Sequence, residues 1–340
     1  MEYRPLGRTG VSVSQLCLGA MMFGAFGNPD HDESVAIVHR ALDAGINFID
    51  TADFYSFGES EEIVGKALAG RRDDVILATK GGLPLGQDPN MRGGSRRWIT
   101  RAVEDSLRRL GTDWIDLYQV HRLDPTVDLD ETLGALSDLV HAGKIRAFGA
   151  STVSGAEIVE AQWLAERRGR ERFRTEQPTY SLLTRAVEHD VLPACQRYGL
   201  GVLVYSPLAG GWLSGAYRVG REVSGPGSAA RQQRFPERYD VGNPANAAKL
   251  EAADALAGLA EEAGITLVQM AIAFVVRHPA VTSAIVGPRT LEHLESYLAA
   301  DGVELSDELL DRIDEIVAPG RTINVVDNNW RGLEAASRGR

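Results

Sequence analysis

The sequence predicts an α/β chain closed into a (β/α)₈ TIM barrel, and three observations point there. Short apolar runs alternate with longer stretches of helical spacing, eight times over. The 340 residues leave room for the ~250 that such a barrel fills. The rival, an open doubly wound sheet, wants a Gly-x-Gly-x-x-Gly turn after its first strand, and none stands there. The whole chain, 1–340, reads as one domain, with the barrel over about 12–300 and a polar tail over about 319–340.

Taken in order, the first eight residues and the turn at Thr9 and Gly10 read as a β-hairpin plugging the barrel floor. The strands follow at Gln15–Gly19, Asn47–Asp50, Val75–Thr79, Ile115–Tyr118, Ile145–Ala150, Arg174–Gln177, Gly201–Tyr205 and Ser283–Val286. Each is partly β-branched or aromatic and bounded by Gly, Asp or Pro. Between them, Ser34–Asp43 sets Val35, Val38, Ala41 and Leu42 at helical spacing. Thr100–Leu110 repeats this with Val103, Leu107 and Leu110, and Gly111 marks its stop. One interval breaks the rhythm. After the seventh strand, Ser206 to roughly Asn246 is rich in Gly, Pro, Arg and Ser, the composition of a long lid or binding loop. The tail beyond Pro319, with Trp330 its one large apolar residue, belongs near the same rim.

Composition narrows the function. Lys and Arg number 36 against 47 Asp and Glu, a net charge of −11, which argues against a nucleic-acid partner. Cys17 and Cys195 sit among apolar neighbours, as buried free thiols of a reducing compartment do. The N-terminus carries no apolar signal core, and no run reaches the ~18 apolar residues of a membrane span. The cytoplasm is the expected address.

Reactive groups of such barrels sit at the C-terminal ends of strands. Here those ends carry Asp50, Lys80 and His121, with Tyr55 five positions beyond Asp50. Singly, each has an ordinary explanation as a turn, packing or solvated residue. Jointly, four titratable groups converge on one rim. A lysine beside a phenol favours the phenolate and lowers the phenol pKa from ~10. A carboxylate keeps the lysine charged, and an imidazole can bond an oxygen that gains charge. That set donates a proton to a carbonyl oxygen while hydride arrives from a nicotinamide or flavin, since no side chain donates hydride.

The run Gly45-Ile-Asn-Phe-Ile-Asp-Thr-Ala-Asp-Phe-Tyr55, with Gly58-Glu-Ser-Glu61 after it, resembles the first signature of the aldo-keto reductases. Leu110-Gly-Thr-Asp-Trp-Ile-Asp-Leu-Tyr-Gln-Val-His121 resembles their second, and the likeness runs from Tyr3 to about Ala300. The resemblance implies a (β/α)₈ barrel that uses NADP(H). It also implies Tyr55 as general acid, Lys80 as its pKa tuner, Asp50 as the lysine's partner and His121 as the group orienting the carbonyl.

By the same resemblance Gly19, Ala20 and Met21 line the nicotinamide end, and Asp50 counts among the cofactor residues too. Ser151 and Gln177 bind the carboxamide, with Thr152 where the family usually has Asn. Tyr205 stacks on the ring, and Ser206, Pro207, Leu208 and Gly210 cradle the pyrophosphate. Gly287, Arg289 and Thr290 match the turn over the 2′-phosphate, with Thr290 also capping the next helix. An arginine there favours NADP over NAD. His293 stands where Gln or Arg is common, and Ser296 and Tyr297 replace the usual Glu-Asn pair on the adenine.

Other signals carry less. Gly58 to Lys66 has the wrong spacing for a phosphate loop and reads as a helix start. The remaining histidines show no metal-ligand spacing. Arg92, Arg96, Arg97 and Arg101 read as a solvated helix face ahead of the alternative, a hold on a substrate phosphate. Met21, Met22, Phe23, Phe26, Phe54, Phe57 and Trp98, joined by Tyr217, Phe235 and Tyr239, are the expected pocket walls. The sequence thus points to a cytoplasmic NADPH-dependent reductase of a small carbonyl substrate. It leaves open a homo-oligomer, a cofactor-binding sensor on the same fold such as a potassium-channel β subunit, and a reductase of keto groups on nucleotide-activated sugars.

Overall fold

In the computed structural model, which describes residues 1–221 and 232–329, β1 (Tyr3–Pro5) and β2 (Ser12–Ser14) pair antiparallel with Tyr3 opposite Ser14. Eight further strands run parallel: β3 (Leu16–Gly19), β4 (Phe48–Asp50), β5 (Ile76–Gly81), β6 (Ile115–Val120), β7 (Ile145–Ser151), β8 (Thr175–Gln177), β9 (Gly201–Val204) and β10 (Val281–Val286). They close in chain order, with β10 returning to pair with β3. The predicted (β/α)₈ barrel is the observed one, strand for strand. Trp330 and part of the long loop lie outside the described residues.

The hairpin does plug the floor. Its Leu6 and Val13 pack with Cys17, Phe48, Ala78, Leu117, Leu203 and Ile285, which point into the barrel. Gly7 makes the approach possible. A Cβ there would stand 2.5 Å from the Gly201 backbone nitrogen, and its φ of +55° suits glycine. The larger core fills the shell between strands and helices. Fully burying side chains such as Phe48 and Leu117 contributes roughly 1.5–3 kcal/mol each.

Caps place the helix starts earlier than apolar spacing suggests. The first helix begins at His31 rather than Ser34, because the Asp30 carboxylate accepts from the Asp32 and Glu33 backbone N–H groups. The helix Arg96–Leu110 starts at the Ser95 cap and stops at Gly111, as predicted. The long loop and the tail meet at one rim. Asn324 Nδ2 donates to Asn246 Oδ1 at 2.7 Å, and Lys249 Nζ, fully buried, lies 2.7 Å from Asp327 Oδ2. Among the described residues, no single helix is long and apolar enough to cross a membrane. The pair Pro244–Glu262 and Leu267–Arg277 meets that test only together, across a 95° bend.

Candidate active site

Side chains alternate along a strand, so the residues that fill the barrel floor dictate what stands above them. Phe48, Ala78 and Leu117 face inward, and two positions on come Asp50, Lys80 and Gln119. These strands are neighbours, with Lys80 directly opposite Gln119 in the ladder. A polar layer therefore lies on an apolar one. His121 follows β6 on the same face.

Tyr55 arrives from a turn. Residues Tyr55–Gly58 form a short 3₁₀ segment in which Ser56 and Phe57 hold left-handed φ angles of 48° and 55°. Ser56 Oγ pins this turn to the loop after β3, donating to the Phe23 carbonyl at 2.9 Å and accepting from Phe26 N–H at 3.0 Å. The phenol is thereby aimed back over the barrel mouth.

The four groups meet. Lys80 is fully buried and directs its three N–H donors at Asp50 Oδ1 (2.5 Å), the Thr51 carbonyl (2.8 Å) and Tyr55 Oη (3.2 Å). The His121 ring stands edge-on to the Tyr55 ring, centroids 5.9 Å apart. The second Asp50 oxygen accepts from Gln177 Nε2 at 2.9 Å and Gln119 Nε2 at 3.2 Å. Burial works against the Lys80 charge, but Asp50 and Tyr55 hold its pKa above the ordinary lysine value. Burial also pushes the Tyr55 phenol above its ordinary value and outweighs the lowering by Lys80. Lys80 thus acts in the expected direction but burial, not weighed in the sequence expectation, prevails, and the phenol keeps its proton at neutral pH. Burial, then the Lys80 and Arg122 charges, drive the His121 pKa well down, so the imidazole is neutral. Its Nδ1 has no partner in the described structure.

Behind the tyrosine lies a second buried network. Glu61 accepts from Thr79 Oγ1 at 2.6 Å and pairs with Arg109 at 2.6 Å. Asp53, fully buried, is pushed up to about 8 by burial and then by Glu61. Gly81 is required beside it, since a Cβ there would stand 2.0 Å from Tyr118 Oη. Gln119, Arg109 and Tyr118 were not singled out from the sequence. Polar residues on the inward face of an apolar strand are the signal that marks Gln119.

The cofactor candidates occupy the rest of the ring. Ser151, Gln177 and Tyr205 stand at the ends of β7, β8 and β9, next in order after the strands carrying Lys80 and His121. Gly287 follows β10, and Gly19 ends β3. Ser151 Oγ donates to the Gln177 carbonyl at 2.9 Å. One N–H of the Gln177 amide is given to Asp50, which leaves Oε1 and a second N–H to offer. Asp50, with both oxygens bonded, lies beneath the site rather than on its surface. Ala20 is likewise buried, its N–H donating to the Asp50 carbonyl at 2.9 Å, whereas Met21 is 49% exposed on the rim. Thr152 sits at φ +59°, and its Oγ1 lies 3.2 Å from Tyr205 Oη, which also accepts from Asn329 Nδ2 at 3.0 Å.

Beyond β9, Pro207 is buried, and Ser206, Ala209 and Gly210 hold left-handed φ angles in a tightly turned segment. Leu208 packs against the core. Gly210 lies under Tyr239, whose hydroxyl donates to the Gly210 carbonyl at 3.1 Å. Thr290 caps the helix Leu291–Leu298, its side chain accepting from His293 N–H, with half-buried Arg289 beside that N-terminus. His293 is exposed and stacks on Tyr297 one turn along.

The expected walls divide. Phe26, Phe54 and Phe57 form a mutual edge-to-face trio with centroids 5.6–6.0 Å apart, and Phe57 is 71% exposed. Phe23, Trp98 and Tyr217 do not line a pocket. Their apolar rings are buried in the shell, Tyr217 stacked on Trp212 at 4.0 Å. Arg96 and Arg101 do lie on a helix face, paired with nearby carboxylates.

The aldo/keto reductase family model matches residues 15–318. The chain is 41% identical over 330 residues to the uncharacterized oxidoreductase YrpG of Bacillus subtilis (strain 168), covering 93% of this chain and 96% of that one. It is 37% identical to a probable voltage-gated potassium channel subunit beta of Oryza sativa subsp. japonica, over 95% and 99% of the two chains. It is 36% identical to the aldo-keto reductase YhdN of Bacillus subtilis (strain 168), over 91% of each. With its closed barrel and strand-end residues, the chain belongs to the aldo/keto reductase family.

Proposed function

We propose that this chain reduces an aldehyde or ketone to an alcohol in the cytoplasm, with NADPH as reductant and Tyr55 as proton donor. The observation that carries the reading is the convergence of Lys80 Nζ on Asp50 and Tyr55 beside a neutral His121. The two buried free cysteines fit a reducing compartment.

The rim residues fit a dinucleotide. Ser151 and Gln177 offer a hydroxyl and a carbonyl to an amide, the left-handed backbone from Ser206 to Gly210 suits an anion, and Arg289 at the Thr290-capped helix start suits a phosphate. A reduced nicotinamide, when bound, supplies the hydride that no side chain can. The protein does the rest. The neutral His121 donates its one N–H to the carbonyl oxygen and fixes its direction. Tyr55 Oη gives that oxygen its proton as negative charge develops. The phenolate left behind rests against the Lys80 ammonium, which Asp50 holds charged and in place. Lys80 cannot itself be the acid, because all three of its donors are committed and its pKa is raised.

Relatives named as potassium-channel β subunits favour a second reading, a cofactor-binding regulatory protein. Oxidation of NADPH by a panel of aldehydes and ketones, followed by stopped flow, separates the two. A reductase gives many turnovers per site with at least one carbonyl. At most one turnover with every carbonyl rules the reductase out in favour of the regulatory reading.

A further inference from the structure

We propose that the Arg122 guanidinium recognises a carboxylate on the carbonyl substrate, so that the preferred substrates are aldehydo or keto acids. This rests on the reductase reading above.

Arg122 follows His121 at the end of β6, half-buried at the barrel mouth. Only Nη1 is engaged, donating to the His121 carbonyl at 2.6 Å and to Ser151 Oγ at 3.3 Å. Nε and Nη2 bond nothing among the described residues, and no carboxylate there pairs with the group. Half-buried Arg172 and Arg289 also lack a carboxylate partner but lie away from the catalytic groups, and the other shielded arginines differ. Arg72 pairs with Asp116, Arg109 with Glu61, Arg185 with Glu188 and Asp314, and Arg218 with Asp254. A chain with 47 acidic side chains leaves this cation unmatched beside its candidate catalytic groups.

The charge sum makes the same point. Lys80 and Asp50 cancel, His121 is neutral and Tyr55 keeps its proton. The nearby buried acids Asp53 and Glu176 are each pushed up to about 8, so both are largely protonated at neutral pH. One positive charge remains at the mouth, on a planar fork whose Nε/Nη2 edge is free for a carboxylate. The cofactor has less use for it. An oxidised nicotinamide is itself a cation, and the residues suited to its phosphates lie around β9 and β10.

The test compares matched substrates, 4-formylbenzoate with its methyl ester and benzoylformate with its methyl ester, in wild type, Arg122→Gln and Arg122→Lys. The acid-to-ester ratio of kcat/KM should fall about tenfold to a hundredfold with Gln and recover in part with Lys. Calorimetric binding of benzoate to the NADP-loaded protein should weaken by a similar factor with Gln. An unchanged ratio overturns the proposal. So does an equal loss on acid and ester, which would mean that Arg122 serves His121, or a loss confined to NADPH affinity. If wild type turns over no carbonyl at all, the reductase reading fails, and the benzoate titration alone decides whether Arg122 binds carboxylates.

Discussion

Replacing Lys80 by Met removes one half of a buried ion pair and isolates what holds the centre together. Lys80 is 0% and Asp50 2% exposed, and their 2.5 Å contact is the shortest side-chain hydrogen bond of either. Removing one partner of such a pair typically costs about 3–5 kcal/mol, because the other charge stays buried. Asp50 keeps the Gln177 and Gln119 amides, so the lower end, ~3 kcal/mol, applies. At about 2.1 cal/mol/K of unfolding entropy per residue, 340 residues give roughly 1.4 °C per kcal/mol, so Tm should fall by about 4 °C. Adding Asp50→Asn removes the stranded charge, so the double variant should regain at least about 1.5 kcal/mol while staying inactive, as Tyr55 still lacks its cation. Urea or thermal unfolding followed by circular dichroism measures all four corners of the cycle. A cost below ~1 kcal/mol for Lys80→Met, or a double variant less stable than the single one, would refute the pairing argument.

Three further outcomes follow from the same geometry. Glu176 is pushed up to about 8 by burial, so between its unfolded pKa near 4.5 and about 8 the folded protein holds a proton that the unfolded chain has lost. Its contribution is fully present below the lower value and fades as pH rises through the window. Glu176→Gln should flatten that decline, and identical slopes in urea titrations of the two proteins would contradict it. Thr152 is β-branched at φ +59°, a conformation that Asn tolerates better, so Thr152→Asn should raise stability by roughly 0.5–1 kcal/mol; a lower unfolding midpoint would count against strain there. Arg289→Ala should weaken NADPH binding about tenfold or more and leave NADH nearly unchanged, read by quenching of intrinsic fluorescence. Equal losses for both would remove Arg289 from the 2′-phosphate.

Much of this was legible in the sequence because the barrel repeats a simple rule. Apolar runs bounded by Gly, Asp and Pro gave the strands, and a residue at a strand end has only one rim to occupy. Asp50, Lys80 and His121 were therefore placeable before any contact was known. Thr290 was readable as a cap because a short hydroxyl precedes an apolar-periodic run. What stayed hidden depended on pairing across the barrel. Nothing in the spacing shows that the Gln177 amide points down to Asp50, or that Gln119 from another strand shares the same oxygen. The direction of the Tyr55 shift was hidden for a related reason. Adjacency to Lys80 can be inferred from position, but the burial that outweighs it comes from the whole barrel mouth. Phe23, Trp98 and Tyr217 misled as pocket walls because a ring's type does not say whether its loop turns it toward the rim or the shell.

Single-turnover rates of Tyr55→Phe, with NADPH and an aromatic aldehyde both saturating, bear most directly on the proposed chemistry. The substitution deletes one oxygen and leaves the ring, the turn and the rim residues in place. NADPH should bind within a few-fold of wild type, while the oxidation step slows by about 10²–10⁴, the usual contribution of a positioned acid. A variant that binds NADPH and transfers hydride at the wild-type rate would show that the proton comes from elsewhere.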